Sequence, residues 1–176
     1  PGAGGADELE RGVDVTAILR GDLTEDEEAE ALTRLGFADV TAARAELARA
    51  LDEQFRLPIT HSHLCYLREV RTLTGMDAGE EHAYEAIWQN YLFGADQLRA
   101  RVAFALSEIV VISNIAPDQN PWELASLMEM LYRNAFGNYR TLLEEVTLHP
   151  AMGFYLDMLK SQKEDPATGR NPNENY

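Results

Sequence analysis

The stretch DQLRARVAFALSEIVVIS, from Asp96 to Ser113, decides the fold class of this chain. Its apolar residues recur every three or four positions, which is the period of a helix that buries one face. The stripe consists of Leu98, Val102, Ala105, Leu106, Ile109 and Ile112. We therefore expect a helix over the whole stretch, at the centre of an all-α protein.

Three more helices are predicted after this stretch. Residues 120–123, NPWE, combine a capping side chain, a first-turn proline and an acid at the third helical position, and a helical pattern follows until Gly137. Asn138 is suited to cap the next helix, and the step from His149 to Pro150 starts the last one.

Four helices are predicted before residues 96–113. They run from Thr24 to Gly36, from Asp39 or Thr41 to Pro58, from Thr60 to Leu73 and from Asp77 to Gly94. The third segment also fits a strand, which would aim His61, His63 and Cys65 to one side, but its apolar spacing favours a helix. The sequence therefore predicts an all-α, non-repeating helical bundle of about eight helices.

Both ends of the chain lack a helical pattern. Residues 1–23 are rich in glycine and charge and are expected to form an N-terminal arm that is disordered or docked on a partner. Residues 161–176, SQKEDPATGRNPNENY, predict an irregular polar loop, because two prolines and a glycine interrupt any stripe. The helical domain is thus expected to span residues 24–160.

The charge of the chain limits its partners. Fifteen Lys and Arg face 30 Asp and Glu, which gives a net charge of −15 at pH 7. Such a chain repels phosphate backbones, so we expect no nucleic-acid partner. The most apolar run, residues 102–112, is interrupted by Ser107 and Glu108, so we expect no membrane span.

His61, His63 and Cys65 form a candidate metal site, because imidazole and thiolate are zinc ligands. A helix would separate His63 from the other two, and a second ligand cluster is not evident. We therefore favour a helix start with exposed histidines, and we expect neither metal nor cofactor. Cys65 has no partner for an internal disulfide because it is the single cysteine, and it is expected to fill the core.

Candidate catalytic residues are Glu145, His149 and Glu174. Glu145 and His149 stand four residues apart on a helix, where a carboxylate raises the proton affinity of a histidine and prepares it for acid–base chemistry. A histidine beside a proline at a helix end more often caps carbonyl groups or interacts with the helix dipole, and we favour that structural role.

Arg101 and Glu108 lie on the edge of the most apolar predicted helix. Both are expected to be partly buried, and a buried charge needs a partner. We therefore predict a structural ion-pair network, with anion binding by Arg101 as the alternative. The sequence shows no nucleophile triad, glycine-rich phosphate loop or calcium-loop pattern, so we lean against an enzyme.

Three segments carry a family resemblance. Residues 96–113, residues 133–176 and the weaker segment at residues 32–58 resemble the bacterial family called domain of unknown function 1800. Members of that family are usually several hundred residues long and look exported, and the segment after PNENY normally continues into a further helix. The resemblance implies a periplasmic or extracellular protein with a further C-terminal part, and it brings no established reaction or cofactor.

The leading hypothesis is an exported helical binding or scaffold component, because a large apolar helical surface occurs without a catalytic set. Its expected partner is another protein or the remaining C-terminal part of the same protein. The alternative is a hydrolase-type enzyme acting on extracellular material, with a site around His149 and Glu174 shared with that part. A third possibility is one subunit of a larger assembly, with the glycine-rich arm ordered on a neighbour.

Overall fold

The computed structural model describes residue 17 and residues 20–113 and 120–174. Most of the predicted N-terminal arm and the last two residues of the predicted loop lie outside this part of the chain. The described residues form eight α-helices and no β-strand, which confirms the all-α bundle. The helices are α1 (Glu25–Leu35), α2 (Val40–Arg56), α3 (His63–Thr74), α4 (Glu80–Phe93), α5 (Gln97–Ser107), α6 (Pro121–Asn134), α7 (Tyr139–Thr147) and α8 (Pro150–Tyr155).

The helix ends follow local sequence signals. At the start of α1 the amide of Glu27 donates to the Thr24 hydroxyl at 3.4 Å, and the amide of Thr24 donates to the Glu27 carboxylate at 3.0 Å. Gly36 ends that helix with φ 79°, a left-handed conformation that a side chain would strain. Ser62 caps α3 by accepting from the amide of Cys65 at 3.2 Å, which confirms the helix over the strand in that segment.

The chain divides into two compact units, residues 1–53 and residues 54–176, and the boundary falls within α2. The first unit has a small apolar core around Leu32 and Ala43, against which Leu23, Phe37 and Val40 pack. The second unit contains α3 to α8 and the larger core. The candidate site residues of the sequence analysis all belong to the second unit.

The centre of the second unit is α6, which packs against α3, α4, α5, α7 and α8. Its buried residues are Leu124, Ala125, Leu127, Met128, Met130, Leu131 and Tyr132. The expectation that residues 96–113 form the central helix is wrong. That helix ends at Ser107 with Glu108 as its C-cap, and its buried residues are Ala100 and Ala103.

A buried charged cluster fixes the start of α5. Asp96 is fully buried, and its Oδ1 accepts from the amide of Thr60 at 3.3 Å and from the Thr60 hydroxyl. Arg99 lies with Nε 3.8 Å from Asp96 Oδ2 and donates to the carbonyl of Tyr132 at 3.1 Å. It also donates to the carbonyl of Leu57 at 3.1 Å. These contacts tie α5 to the end of α6 and to the segment before α3.

Glu129 of α6 fixes the start of α3 in a similar way. Its Oε2 accepts from the Ser62 hydroxyl at 2.6 Å and from the amide of Leu64 at 3.1 Å. A carboxylate at a helix N-terminus is favoured by the unpaired amides and the helix dipole. The contact orients the first turn of α3 toward α6 and places His63 inside the core.

The C-terminal segment is irregular in the residues described, as predicted. Asp165 and Arg170 form an isolated antiparallel bridge around a turn, and the amide of Asn173 donates to the Ser161 hydroxyl at 3.0 Å. None of the described helices is both long enough and apolar enough to cross a bilayer.

Candidate functional site

The second unit carries an open apolar cleft of about 640 Å³ between α4, α5 and α6. We call it the aromatic cleft. Its walls come from Tyr84, Ile87, Trp88 and Tyr91 of α4, from Arg101, Phe104 and Ser107 of α5, from Glu108 and residues 110–112, and from Leu124, Leu127 and Met128 of α6. A concave, mostly apolar cavity with a few polar groups is the usual form of a binding site.

The rings of α4 line this cleft because the small residues of that helix take the core positions. Ala83 and Ala86 are buried together with Asn90. Trp88 remains 59% exposed and Leu92 65% exposed. The alanines allow close packing of α4, so the large side chains on its other faces remain at the surface.

The aromatic side chains of the cleft hold one another. The rings of Tyr91 and Phe104 meet edge to face with centroids 5.5 Å apart, and the rings of Trp88 and Tyr91 lie 5.9 Å apart. Such pairs contribute about 0.5–1.5 kcal/mol beyond the area that they bury. The aromatic wall is therefore held by ring contacts within the chain.

Tyr91 lines the aromatic cleft, but its hydroxyl oxygen is buried. Among the described residues it has no hydrogen-bond partner. Burial raises the pKa of Tyr91 to about 12, Arg101 opposes this shift, and Glu108 adds to it. The phenol is therefore neutral at physiological pH, and its buried hydroxyl is not exposed to a molecule in the cleft.

Arg101 and Glu108 face the aromatic cleft, but not as the expected partly buried ion-pair network. Both residues are exposed. In the part of the chain that the structure describes, neither belongs to an ion pair. Seven residues correspond to about 10 Å along a helix, which is too far for a direct pair. The two charges are available to a partner instead.

His149 caps α8 with its side chain. The amide of Ala151 donates to His149 Nδ1 at 3.2 Å, so in the neutral ring the proton resides on Nε2. That nitrogen lies 3.3 Å from Oγ of Ser126, and the Ser126 hydroxyl donates to the carbonyl of Glu123 at 3.0 Å. The histidine therefore accepts an amide at the start of α8, whereas the sequence analysis expected it to cap carbonyl groups.

This geometry differs from that of an activated serine. A histidine that activates a hydroxyl accepts the serine proton on Nε2 while Nδ1–H donates to a carboxylate. Here Nδ1 faces an amide donor, so Nε2–H donates to Ser126. The contact is well suited to holding α8 against α6.

Glu145 does not raise the proton affinity of His149 above its usual value. Burial lowers the pKa of His149, Arg133 adds to this shift, and Glu145 opposes it only in part. The Glu145 carboxylate accepts from Asn134 Nδ2 at 2.9 Å and lies 3.5 Å from the guanidinium of Arg133. Glu145 and His149 line an open cleft of about 500 Å³. Glu174 is exposed in the C-terminal segment.

The candidate metal residues do not meet. His61 and Cys65 are exposed, whereas His63 is fully buried and packs edge to face on the ring of Tyr132 at 4.8 Å. The expectations of an exposed His63 and a core-filling Cys65 are therefore wrong, because Glu129 turns the other face of α3 toward the core. In the described ranges, no group of three His, Cys, Asp or Glu residues is placed to hold a metal ion.

Asp96, Arg99 and Asn90 were not identified from the sequence. Asn90 is fully buried and donates to the carbonyls of His61 at 3.0 Å and Ala86 at 3.3 Å. The available signal was the position of these polar residues within or beside apolar helical stripes. Such a position indicates burial, but it does not identify the partner that makes burial possible.

The model of the family described as Protein of unknown function (DUF1800) matches residues 25–176. The chain therefore belongs to this family, as the resemblance implied. No curated protein and no solved structure matches the chain.

Proposed function

We propose that this member of the DUF1800 family is a helical binding component that receives apolar side chains of a partner protein in its aromatic cleft. The observation that carries the proposal is the exposure of ordered aromatic rings around one concavity. Trp88 is 59% exposed and Phe104 50% exposed, and both line the cleft. Burial of a large apolar side chain contributes about 1.5–3 kcal/mol.

The shape of the cleft favours a helix as the partner element. Three helices form most of its walls, and its apolar wall extends from α4 across Phe104 of α5 to residues 110–112, which follow that helix. An amphipathic helix binds such a groove through apolar residues at positions i, i+3, i+4 and i+7. The exposed charges of Arg101 and Glu108 supply the polar contacts that fix the register.

The test is a display selection of amphipathic helical peptides on the immobilised chain. The enriched sequences are expected to show apolar residues at helical spacing. They should lose at least about tenfold in affinity for the Trp88→Ser variant, since one large ring contributes more than 1.4 kcal/mol. Tyr139→Ser is the matched control, because Tyr139 is an exposed ring on α7 outside the cleft.

Three outcomes contradict this proposal. In the first, no helical sequence is enriched. In the second, the enriched peptides bind wild type and the Trp88→Ser variant equally well. Loss of binding in both variants would point to a general apolar surface and would also count against the cleft.

We also propose that the protein acts outside the cytoplasm, in the periplasm or the extracellular space. The support is the family resemblance, since members of the family look exported. Fractionation of cells that express the complete gene product tests this proposal. Recovery of the protein with the cytoplasmic markers would contradict it.

A further inference from the structure

We infer that the helix bound at this surface is α5 of a second copy of the chain, in antiparallel orientation, so that Arg101 of each copy faces Glu108 of the other. This inference rests on the proposed function, because it identifies the partner of the same surface. Its basis is the order of charges and apolar residues on the exposed face of α5.

The exposed face of α5 consists of Arg101, Phe104, Ala105 and Glu108. These residues follow the i, i+3, i+4, i+7 spacing of a single helix face. Glu108 continues the helical path with φ −75° and ψ −16°. The face thus carries an apolar centre between one positive and one negative end.

This order of charges is self-complementary about a two-fold axis. When two such helices lie antiparallel, the position halfway between Arg101 and Glu108 coincides in both copies, and each arginine meets the glutamate of the other copy. An interface of this kind uses the same patch on both subunits. A parallel arrangement would instead place like charges opposite each other.

The residues at the midpoint suit a close helix pair. Phe104 is half exposed and supplies a ring to bury, while Ala105 is small and exposed, so that two backbones can approach. Phe104 is held by the ring of Tyr91, and it therefore loses little freedom on association. Its burial in both copies adds the apolar contribution that the charges alone lack.

The charges of Arg101 and Glu108 are both exposed. Among the described residues, Arg101 and Glu108 take part in no ion pair, so no ion pair of this part of the chain must break before they pair across the axis. This distinguishes them from Arg99 of the same helix, whose guanidinium is engaged with two carbonyls.

The net charge of −15 on each copy opposes association. At physiological ionic strength, however, charges are screened over about 8 Å. Most acidic groups therefore act weakly across the dimer, whereas the two Arg–Glu contacts lie within this distance. Association of the two copies is therefore favoured at moderate salt. It is weaker at low salt, because the repulsion between their acidic groups then extends further.

The test measures self-association of the full chain by sedimentation equilibrium at about 0.15 M salt. We expect a monomer–dimer equilibrium for wild type. Arg101→Glu places four glutamates around the axis and Glu108→Arg places four arginines there. Each variant should weaken association on the order of tenfold or more, because two attractions become repulsions.

The decisive measurement mixes the two charge variants. In an equal mixture, the introduced glutamate of one variant meets the introduced arginine of the other, and the unchanged Arg101 meets the unchanged Glu108. A heterodimer should therefore form with an affinity near that of the wild-type dimer. Native mass spectrometry distinguishes it from both homodimers by mass. Arg140→Glu is the control for the change in net charge, since Arg140 is an exposed arginine on α7, and it should leave the dimer intact.

Three results would overturn the inference: a wild-type chain that stays monomeric at all concentrations, a mixture that forms no heterodimer, or equal weakening by Arg140→Glu. Circular dichroism verifies that the variants fold. If the peptide selection still yields binders that depend on Trp88, the proposed function survives and only the second copy is excluded as the partner. If neither association nor peptide binding occurs, both proposals fail.

Discussion

The helices α5 and α6 have similar apolar character in the sequence and opposite roles in the structure. Leu131 and Tyr132 of α6 are fully buried, and that helix packs against five others. In contrast, α5 buries two alanines and leaves Phe104 half exposed. The difference shows that an apolar stripe indicates burial somewhere, within the chain or against a partner, without stating which.

Substitution of Asp96 is the strongest test of how α5 is held. Asp96→Ala leaves the Arg99 guanidinium without its charged partner in a buried site and should lower the free energy of unfolding by about 3–5 kcal/mol. Urea denaturation measures this change in the free energy of unfolding. The control is Asp77→Ala, which removes an exposed ion pair with Arg71 and should cost less than about 1 kcal/mol. Equal costs would show that α5 does not depend on the buried cluster.

Truncation of one residue on each helix tests the contrast directly. Leu131→Ala creates a cavity at the centre of the second unit and should lower the free energy of unfolding by about 2–5 kcal/mol. Phe104→Ala removes a half-exposed ring and should lower the free energy of unfolding clearly less than Leu131→Ala does. It should, however, weaken self-association. Chemical denaturation and sedimentation of the same samples measure both effects. A larger loss of stability for Phe104→Ala would reverse the roles assigned to the two helices.

The pH dependence of stability tests the buried histidine next to α6. Burial lowers the pKa of His63 to about 4, with Glu129 and Asp96 opposing the shift. An unfolded histidine has a pKa near 6.5, so between these values the unfolded chain binds more protons. The stability contributed by neutral His63 is therefore complete above pH 6.5, and about 3 kcal/mol of it is lost as the pH falls toward 4.

The measurement compares wild type with His63→Gln by urea denaturation at several pH values from 4 to 7. The difference between the two slopes of unfolding free energy against pH isolates the contribution of His63. His149 also has a lowered pKa, but it contributes equally to the slopes of both proteins. His61→Gln is the control, since His61 is exposed. Parallel curves for wild type and His63→Gln would contradict the buried, neutral state.

The smallest expected effect concerns the junction of α8 with α6. His149→Ala removes the acceptor for the Ala151 amide and should cost about 1 kcal/mol, whereas His149→Asn restores a capping side chain and much of the stability. Thermal unfolding measures both variants. Unchanged stability in the alanine variant, together with a lost activity of the complete protein, would instead support the hydrolase alternative.

The sequence predicted those features that depend on neighbouring residues. Thr24 with Glu27, Gly36, and Asn120 before Pro121 act through contacts within one turn, and the structure shows each at its helix end. The aromatic cleft was not predicted, because it depends on which face of α4 lies against other helices. For the same reason, the expected partial burial of Arg101 and Glu108 was not observed.

What the sequence determined by itself is the all-α class and the approximate limits of the helices, because capping and helical periodicity act over three or four residues. The tertiary structure decided that α6 forms the centre, that His63 points inward, and that Tyr84 and Trp88 of α4 stay at the surface. These choices arise from contacts between residues far apart in the chain, such as Glu129 with Ser62 and Arg99 with Leu57. Such contacts depend on packing complementarity across the whole second unit, which no local pattern encodes.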